Sequence, residues 1–135
     1  MKNTGLVSVS FRKLTIEEIL KLCKENNLDT IEWGSDVHAP FDDFEKLNQI
    51  VKLQNEYNIS CCSYGTYFSL GVTPLSELSK YFKAAKILGT DILRIWIGNK
   101  NYEDMTADER INIINEAKKA AEIAKDNNVI LCSEW

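Results

Sequence analysis

Apolar residues follow two spacings along the chain, and each spacing predicts one kind of element. Short apolar runs are typical of strands, and we predict five of them, over 5–10, 30–33, 59–63, 92–96 and 129–132. Longer stretches with apolar residues at helical spacing predict four helices, over 15–26, 43–57, 73–88 and 106–126. Strands and helices therefore alternate strictly, which favours a parallel sheet with helical crossovers.

Capping residues support the predicted helix starts. Thr15 with Glu18, and Thr106 with Glu109, have the spacing of a capping box, in which two orphan backbone donors are satisfied reciprocally. The third helix is predicted to begin at Thr73-Pro74, because threonine suits the cap and proline suits the first helical turn. These signals make the helical segments separate elements rather than one long helix.

One supersecondary unit occurs near both ends of the chain. Residues 24–33 read KENNLDTIEW and residues 125–135 read KDNNVILCSEW, so a helix tail, an Asn-Asn pair and an apolar run precede Glu-Trp in both. Glu32 and Glu134 fall where the predicted strands end. Ligands of parallel α/β sheets bind outside the carboxyl ends of the strands. Both glutamates are therefore candidate site residues.

Two folds fit this alternation. The first is a partial (β/α)₈ TIM barrel with sequential strand order, running from the first strand and helix to the fifth strand. A whole barrel needs more than ~200 residues, so 135 residues supply its N-terminal half. The alternative is a five-stranded doubly wound, flavodoxin-like sheet, in which the first strand lies between the second and third. No linker interrupts the sequence, and we predict a single domain over 1–135 with the partial-barrel fold.

Composition excludes several classes of protein. The chain is 44% hydrophobic and 27% charged, which is a globular balance, and its net charge is −4. Lysine and arginine are scattered rather than clustered, which weighs against nucleic acid as a partner. No apolar run reaches the length of a signal peptide or a membrane span. We expect a cytoplasmic protein with no membrane partner.

The four cysteines do not have the spacing of a metal finger. Cys23, Cys61, Cys62 and Cys132 form no C-x-x-C pair, and none lies near His38, the single histidine. We predict reduced thiols that are buried as small hydrophobic side chains.

Carboxylates, a histidine and aromatic residues gather at the predicted strand ends and in the loops that follow them. Aromatic faces cover the C–H surface of a sugar, and carboxylates bind its hydroxyls or a divalent cation. The candidates for such a site are Glu32, Trp33, His38, Tyr67, Trp96 and Glu134. Tyr67 belongs to residues 64–71, YGTYFSLG, which we predict to be a loop rich in aromatic residues and glycine.

Each candidate also has a purely structural interpretation. The three aromatic residues can serve as core or rim packing, and His38 can be a solvent-exposed spectator. Glu32 can be a partly buried carboxylate paired with a cation. Arg94, inside the fourth predicted strand, would need such a partner, and Glu32 is the carboxylate that we favour for it.

Four segments in register resemble successive blocks of a known family. TIEWGSDVHAP, CSYGTYFSLG, AKILGTDILRIWIG and VILCSEW are similar to blocks of the xylose isomerase-like TIM barrels. These barrels form the sugar-phosphate isomerase/epimerase superfamily, which also includes endonuclease IV-type enzymes. The resemblance runs over the whole chain, in order.

The resemblance implies a function for a complete barrel. In the family, the glutamate that ends the fifth strand is a ligand of a divalent metal such as Mn, Mg, Co or Zn, and it commonly shares in proton transfer next to a carbonyl of a sugar or sugar phosphate. Glu134 matches that glutamate, so the resemblance implies a catalytic and metal-binding role for it. The remaining ligands come from later strands, so this chain alone is expected to bind no metal and to be inactive.

Two other functions stay open at this point. One is an endonuclease IV-like metal nuclease, against which the net charge of −4 and the single histidine count. The other is a non-catalytic, doubly wound interaction module.

A half-barrel would have two open parallel edges and an uncovered apolar concave face. Such surfaces drive association. We therefore expect a homo-oligomer formed through open sheet edges, or a truncation that is only marginally stable alone.

Overall fold

The computed structural model describes residues 4–134. The elements, in chain order, are β1 (Gly5–Val7), α1 (Ile16–Glu25), β2 (Thr30–Gly34), α2 (Phe44–Tyr57), β3 (Ser60–Leu70), α3 (Leu78–Leu88), β4 (Ile92–Ile97), α4 (Ala107–Asp126) and β5 (Ile130–Glu134). Short 3₁₀ turns cover Ser8–Phe11, Leu75–Glu77 and Tyr102–Asp104. Trp135, which completes the second Glu-Trp pair, lies outside the described residues.

The five strands form one sheet in the order β1-β2-β3-β4-β5, and all four pairings are parallel. Sequential order confirms the predicted partial barrel. The doubly wound alternative is wrong, because it would place β1 between β2 and β3. Within residues 4–134 the barrel is not closed, and β1 and β5 each have one neighbouring strand.

The core lies between the sheet and the helices. Ile31 and Trp33 of β2 and Leu93 of β4 are fully buried there, and they pack in one cluster with helix residues such as Ile19 and Leu47. Successive strand residues point to opposite faces of a sheet. Glu32 and Arg94, which alternate with these buried residues, therefore face the concave side, where the site lies.

Left-handed residues end the turns that lead from helix to strand. Asn27, Asn58 and Asn128 have φ of 55°, 54° and 54°, and Gly89 has φ of 86°. Asparagine and glycine adopt this conformation more easily than other residues do. The Asn-Asn pairs noted in the sequence are therefore helix exits. They return the chain to the sheet after α1 and α4.

Both predicted capping boxes are present, whereas the third helix begins later than predicted. Thr15 and Thr106 each accept the backbone N–H of the glutamate three residues on, and each glutamate accepts the threonine N–H in return. Thr73 caps no helix, because its hydroxyl accepts the N–H of Ser69. A 3₁₀ turn follows, and α3 begins at Leu78.

The stretch predicted as an aromatic loop, 64–71, is mostly strand. β3 continues to Leu70, with Phe68 and Leu70 buried against the helices. Ser69 and Leu70 pair with Trp96 and Ile97 after an irregular stretch in the register. The predicted loop is wrong, because glycine is uncommon inside strands and Gly65 therefore resembles a loop residue in the sequence. It is a strand residue over which two side chains cross.

Burial in α4 falls on its C-terminal half, where Ala120 and Ala124 are buried, whereas Ile111 and Ile114 are exposed. At two cysteines burial differs from the prediction. Cys23 and Cys61 are buried as predicted, but Cys62 and Cys132 are exposed. Burial raises the pKa of the Cys61 thiol to about 12, so this thiol stays protonated.

No helix in the described part of the chain is both long and apolar enough to cross a membrane.

Candidate active site

Three charged side chains from three strands meet on the concave face. Arg94 of β4 donates from Nε to Glu32 Oε1 of β2 at 2.9 Å, and from Nη1 to Glu134 Oε2 of β5. We call these residues the ion-pair triad. The side chains of Arg94 and Glu32 are only 17% and 12% exposed, whereas Glu134 is 49% exposed. The structure thus contains the predicted Arg94–Glu32 pair and extends it to Glu134.

A bulge in the sheet positions Glu32. Ile31 pairs with Cys61, but Glu32 pairs with Ser63, so Cys62 is the extra residue. Bulges re-aim side chains in this way. Here the bulge brings the Ser63 hydroxyl to Glu32, where it donates to Oε2 at 2.6 Å. Glu32 is thus held by Ser63 and by Arg94, one at each carboxylate oxygen.

Gly65 makes room for the ion-pair triad. A Cβ atom at this position would lie 2.5 Å from Arg94 Nη2 and 2.7 Å from Glu32 Oε1. Those distances are shorter than van der Waals contact. A side chain at this position would displace the ends of Arg94 and Glu32, so glycine allows the guanidinium to cross over the strand in the observed arrangement.

Trp96 and Glu134 are neighbours across β4 and β5. Trp96 lies two residues after Arg94 and so on the same face, and the Arg94 guanidinium carbon is 5.5 Å from the centre of its ring. Its indole Nε1 is buried and has no hydrogen-bond partner among the described residues. Trp96 thus forms an apolar wall beside Glu134.

A second charged group joins two loop residues, Arg12 and Asp36, to Tyr67 of β3. Arg12 donates from Nε to Asp36 Oδ2 at 2.7 Å and from Nη2 to the Tyr67 hydroxyl at 3.1 Å. Tyr67 in turn donates to Asp36 Oδ2 at 3.3 Å. Arg12 Nη1 donates to the Val9 carbonyl at 3.0 Å. We call Arg12, Asp36 and Tyr67 the loop cluster.

The loop cluster shifts the pKa of its charged members. Burial alone would raise the pKa of Asp36, but hydrogen bonds from Arg12 and Val37 and the Arg12 charge hold it below its usual range. The same hydrogen bond to Asp36, followed by the one to Tyr67, raises the pKa of the Arg12 guanidinium. Arg12 therefore stays a cation and Asp36 an anion at neutral pH.

The ion-pair triad and two members of the loop cluster, Arg12 and Tyr67, line one cleft. Its volume is about 500 Å³, within the range of small-molecule sites. The lining includes Arg12, Glu32, Tyr67, Arg94, Trp96 and Glu134. A wider cleft of about 760 Å³ opens beyond β4 and α4, and Trp96 and Glu134 stand between the two. A ligand in either cleft can therefore reach Glu134.

Four of the six candidates from the sequence meet at the smaller cleft, and two do not. Glu32, Tyr67, Trp96 and Glu134 line it. Trp33 is fully buried on the helix side, where its Nε1 donates to Gln54 Oε1 at 2.7 Å. His38 is buried beside Trp33, with Nε2 3.0 Å from the Leu14 carbonyl oxygen. The expectation that Trp33 and His38 contact a substrate is corrected, because neither side chain reaches the cleft.

Solved structures with the same fold are numerous, although no protein-family model and no curated protein matches the sequence. The probable 3-DHS dehydratase AsbF from Bacillus anthracis, which is involved in petrobactin synthesis, superposes with a TM-score of 0.82 at 16% identity. A xylose isomerase-like TIM barrel protein from Mycobacterium smegmatis, in complex with magnesium, superposes with a TM-score of 0.71 at 12% identity. The alignments cover 98% of this chain in both cases, but 52% and 56% of those chains.

This chain has the fold of half a xylose isomerase-like TIM barrel. The half that fits is the N-terminal one, as predicted, and the chain spans about half the length of the proteins to which it is similar. The IolI protein, solved with a zinc atom, gives the same picture, with a TM-score of 0.77, 12% identity and coverage of 98% of this chain and 51% of that one. At such identities the likeness establishes the fold alone.

The half-barrel does not by itself offer the donors of a divalent metal centre. Zinc and magnesium occur in two of the similar structures, but residues 4–134 of this chain contain no group of three or more His, Cys, Asp or Glu side chains placed to hold a metal. Glu134 is the predicted ligand, and its Oε2 already accepts the Arg94 guanidinium. A single carboxylate that is paired with a cation does not fit a catalytic metal.

Sequence reasoning missed Arg12, Asp36 and Gly65 as site residues, and it did not predict that Ser63 holds Glu32. Arg12 and Asp36 lie in the loops that follow the first two strands, at the carboxyl edge of the sheet. That position is the sequence signal that could have identified them as site residues. Ser63 reaches Glu32 only because of the bulge at Cys62, and nothing in the sequence pattern marks that bulge.

Proposed function

We propose that residues 1–135 form one domain, the N-terminal half of a sugar or sugar-phosphate isomerase/epimerase that transfers a proton next to a carbonyl. The observation that supports this best is the ion-pair triad, which places a half-exposed carboxylate, Glu134, beside a guanidinium in a cleft of small-molecule size. Proton removal next to a carbonyl needs a base and a nearby positive charge for the oxyanion that develops. Glu134 and Arg94 have those two properties.

Each residue of the cleft would have a distinct role in this reaction. Glu134 would accept and return the proton. Arg94 would stabilise the oxyanion, since no described residue accepts a hydrogen bond from its Nη2. Tyr67 and Trp96 would cover the apolar faces of the substrate. Glu32, held by Ser63 and Arg94, would bind a substrate hydroxyl or fix the orientation of the guanidinium.

We also propose that the site is completed only in a larger assembly. The open edges at β1 and β5 would join copies of the chain into a homo-oligomer. Residues 4–134 offer Glu134 alone where a catalytic metal would need several donors, so a metal site in such an assembly would need donors from outside this half and release of Glu134 from Arg94. The expected cytoplasmic location stays a prediction.

One experiment tests both proposals. The purified chain is separated by size with light-scattering detection, with and without Mn²⁺, and each fraction is incubated in D₂O with a panel of ketoses and ketose phosphates. We expect a dimer or larger species that incorporates deuterium next to the carbonyl. Glu134→Gln should lower the exchange rate at least about 100-fold, which is the usual contribution of an acid–base group.

Glu122→Gln is the matched control, since it makes the same change on the exposed surface of α4, and it should exchange as the parent chain does. A monodisperse monomer at every concentration would contradict the proposed association. An oligomer that never exchanges deuterium, or one whose exchange survives Glu134→Gln, would contradict the proposed reaction.

A further inference from the structure

We propose that Arg12 binds an anionic group of the substrate, a carboxylate or a phosphate, on the β1 side of the cleft. This inference rests on the proposed function in one respect: the proposed function places the reacting carbons at Glu134, on the β5 side. It names a substrate class: a small hydroxy-carbonyl compound that carries one anionic end.

The structure holds Arg12 in a fixed pose. Its three guanidinium nitrogens each donate once, to Asp36, to the Val9 carbonyl and to the Tyr67 hydroxyl. A guanidinium has five N–H donors. Among the described residues, one N–H on Nη1 and one on Nη2 therefore remain without a protein partner. Because the side chain is 47% exposed and lines the cleft, a ligand can reach it.

A guanidinium that is already oriented loses little conformational freedom when it binds a ligand. Its donor geometry suits carboxylate and phosphate oxygens. Tyr67 lies at the same end of the cleft. Its hydroxyl accepts a hydrogen bond from Arg12 and donates one to Asp36, and its side chain is exposed. The loop cluster therefore has the rigidity expected of a recognition element.

The charges in the cleft are distributed unevenly. Arg94 lies between two carboxylates, Glu32 and Glu134, so the ion-pair triad is negative overall. Arg12 is paired with one carboxylate, Asp36, which also accepts the Tyr67 hydroxyl. An anionic group would be repelled by the triad and accepted at Arg12. This difference orients a substrate with its anionic end toward β1 and its remaining carbons toward Trp96 and Glu134.

The full chain allows a direct test without turnover. Side-chain N–H signals of arginine and backbone signals of the cleft are followed by NMR during titration with inorganic phosphate and, separately, with acetate, at constant ionic strength. We expect saturable shifts at Arg12 and around the cleft. Arg12→Gln should weaken the affinity at least about tenfold, because it removes a charge-assisted hydrogen bond. Lys13→Gln, the same loss of charge at the adjacent exposed residue, should leave it within about twofold.

A second variant keeps the test decisive if Arg12→Gln disturbs the loop. Asp36→Asn removes the competing carboxylate charge but keeps an amide oxygen that can accept from Arg12 Nε, so it should tighten anion binding, and weaker binding in this variant would contradict the inference. Binding of phosphate only, acetate only or both supports the inference and identifies the anion. The inference is overturned if neither anion saturates, or if Arg12→Gln and Lys13→Gln bind equally. Since no catalysis is measured, a failed deuterium-exchange assay would leave this result standing.

Discussion

Replacing Arg94 by methionine should lower the free energy of unfolding by about 2–3 kcal/mol. Removing one partner of a fully buried ion pair costs about 3–5 kcal/mol, because the other charge is left without compensation. We expect a somewhat smaller loss here, since Arg94 and Glu32 keep 17% and 12% of their side-chain surface exposed. Urea unfolding followed by circular dichroism measures the difference.

The control for Arg94→Met is Lys52→Met, which breaks an exposed helical pair with Glu56. It should change stability by less than about 0.5 kcal/mol. Double-mutant cycles then separate the two arms of the triad. The coupling of Arg94 to Glu32 should exceed its coupling to Glu134, which is 49% exposed. Equal effects of Arg94→Met and Lys52→Met would show that the triad is not formed.

Replacing Gln54 by leucine should lower the free energy of unfolding by about 2–4 kcal/mol, although leucine is apolar and of similar size. The Gln54 side chain is buried, accepts the Trp33 indole N–H at 2.7 Å and donates to the Leu88 carbonyl at 3.2 Å. Leucine satisfies neither group, and each buried polar group left unpaired costs about 1–3 kcal/mol.

Gln49→Leu makes the same substitution on the exposed face of α2. It should alter the free energy of unfolding by no more than about 0.5 kcal/mol. The comparison also tests the placement of Trp33. If Gln54→Leu is no more harmful than Gln49→Leu, the indole does not lie in the helix–sheet core, and Trp33 returns as a candidate for the cleft.

The fold was predictable because its signals are local and periodic. Apolar spacing gave the strand and helix order, and the capping boxes gave two helix starts. The sequential strand order was predicted with the partial barrel, which the resemblance supported, and the structure confirms it. The length of β3 was not predicted. Tyr64, Phe68 and Leu70 have the alternation of a strand, but Gly65 resembled a break, and its role depends on Arg94 from another strand.

The site was predictable only in part. Glu32 and Trp33 are adjacent in one strand, so they face opposite sides, and a cleft that contains Glu32 cannot also contain Trp33. That exclusion was available from the sequence. His38 lies beside Trp33 in the core, and no spacing in the sequence predicts that contact. Arg12 and Asp36 meet through loop conformation, and loops have no periodicity from which a contact can be inferred.

The most direct test of the site is the NMR signature of the Arg94 guanidinium. The chain has three arginines, Arg12, Arg94 and Arg110, so their side-chain N–H signals can be assigned by single substitution. We expect Arg94 to show an Nε–H that exchanges slowly with water and resolved Nη signals. Glu134→Gln should shift the Nη1 signal and leave Nε–H protected, and Glu32→Gln should expose Nε–H. Arg94 signals that respond to neither substitution would contradict a site in which this arginine joins Glu32 of β2 to Glu134 of β5.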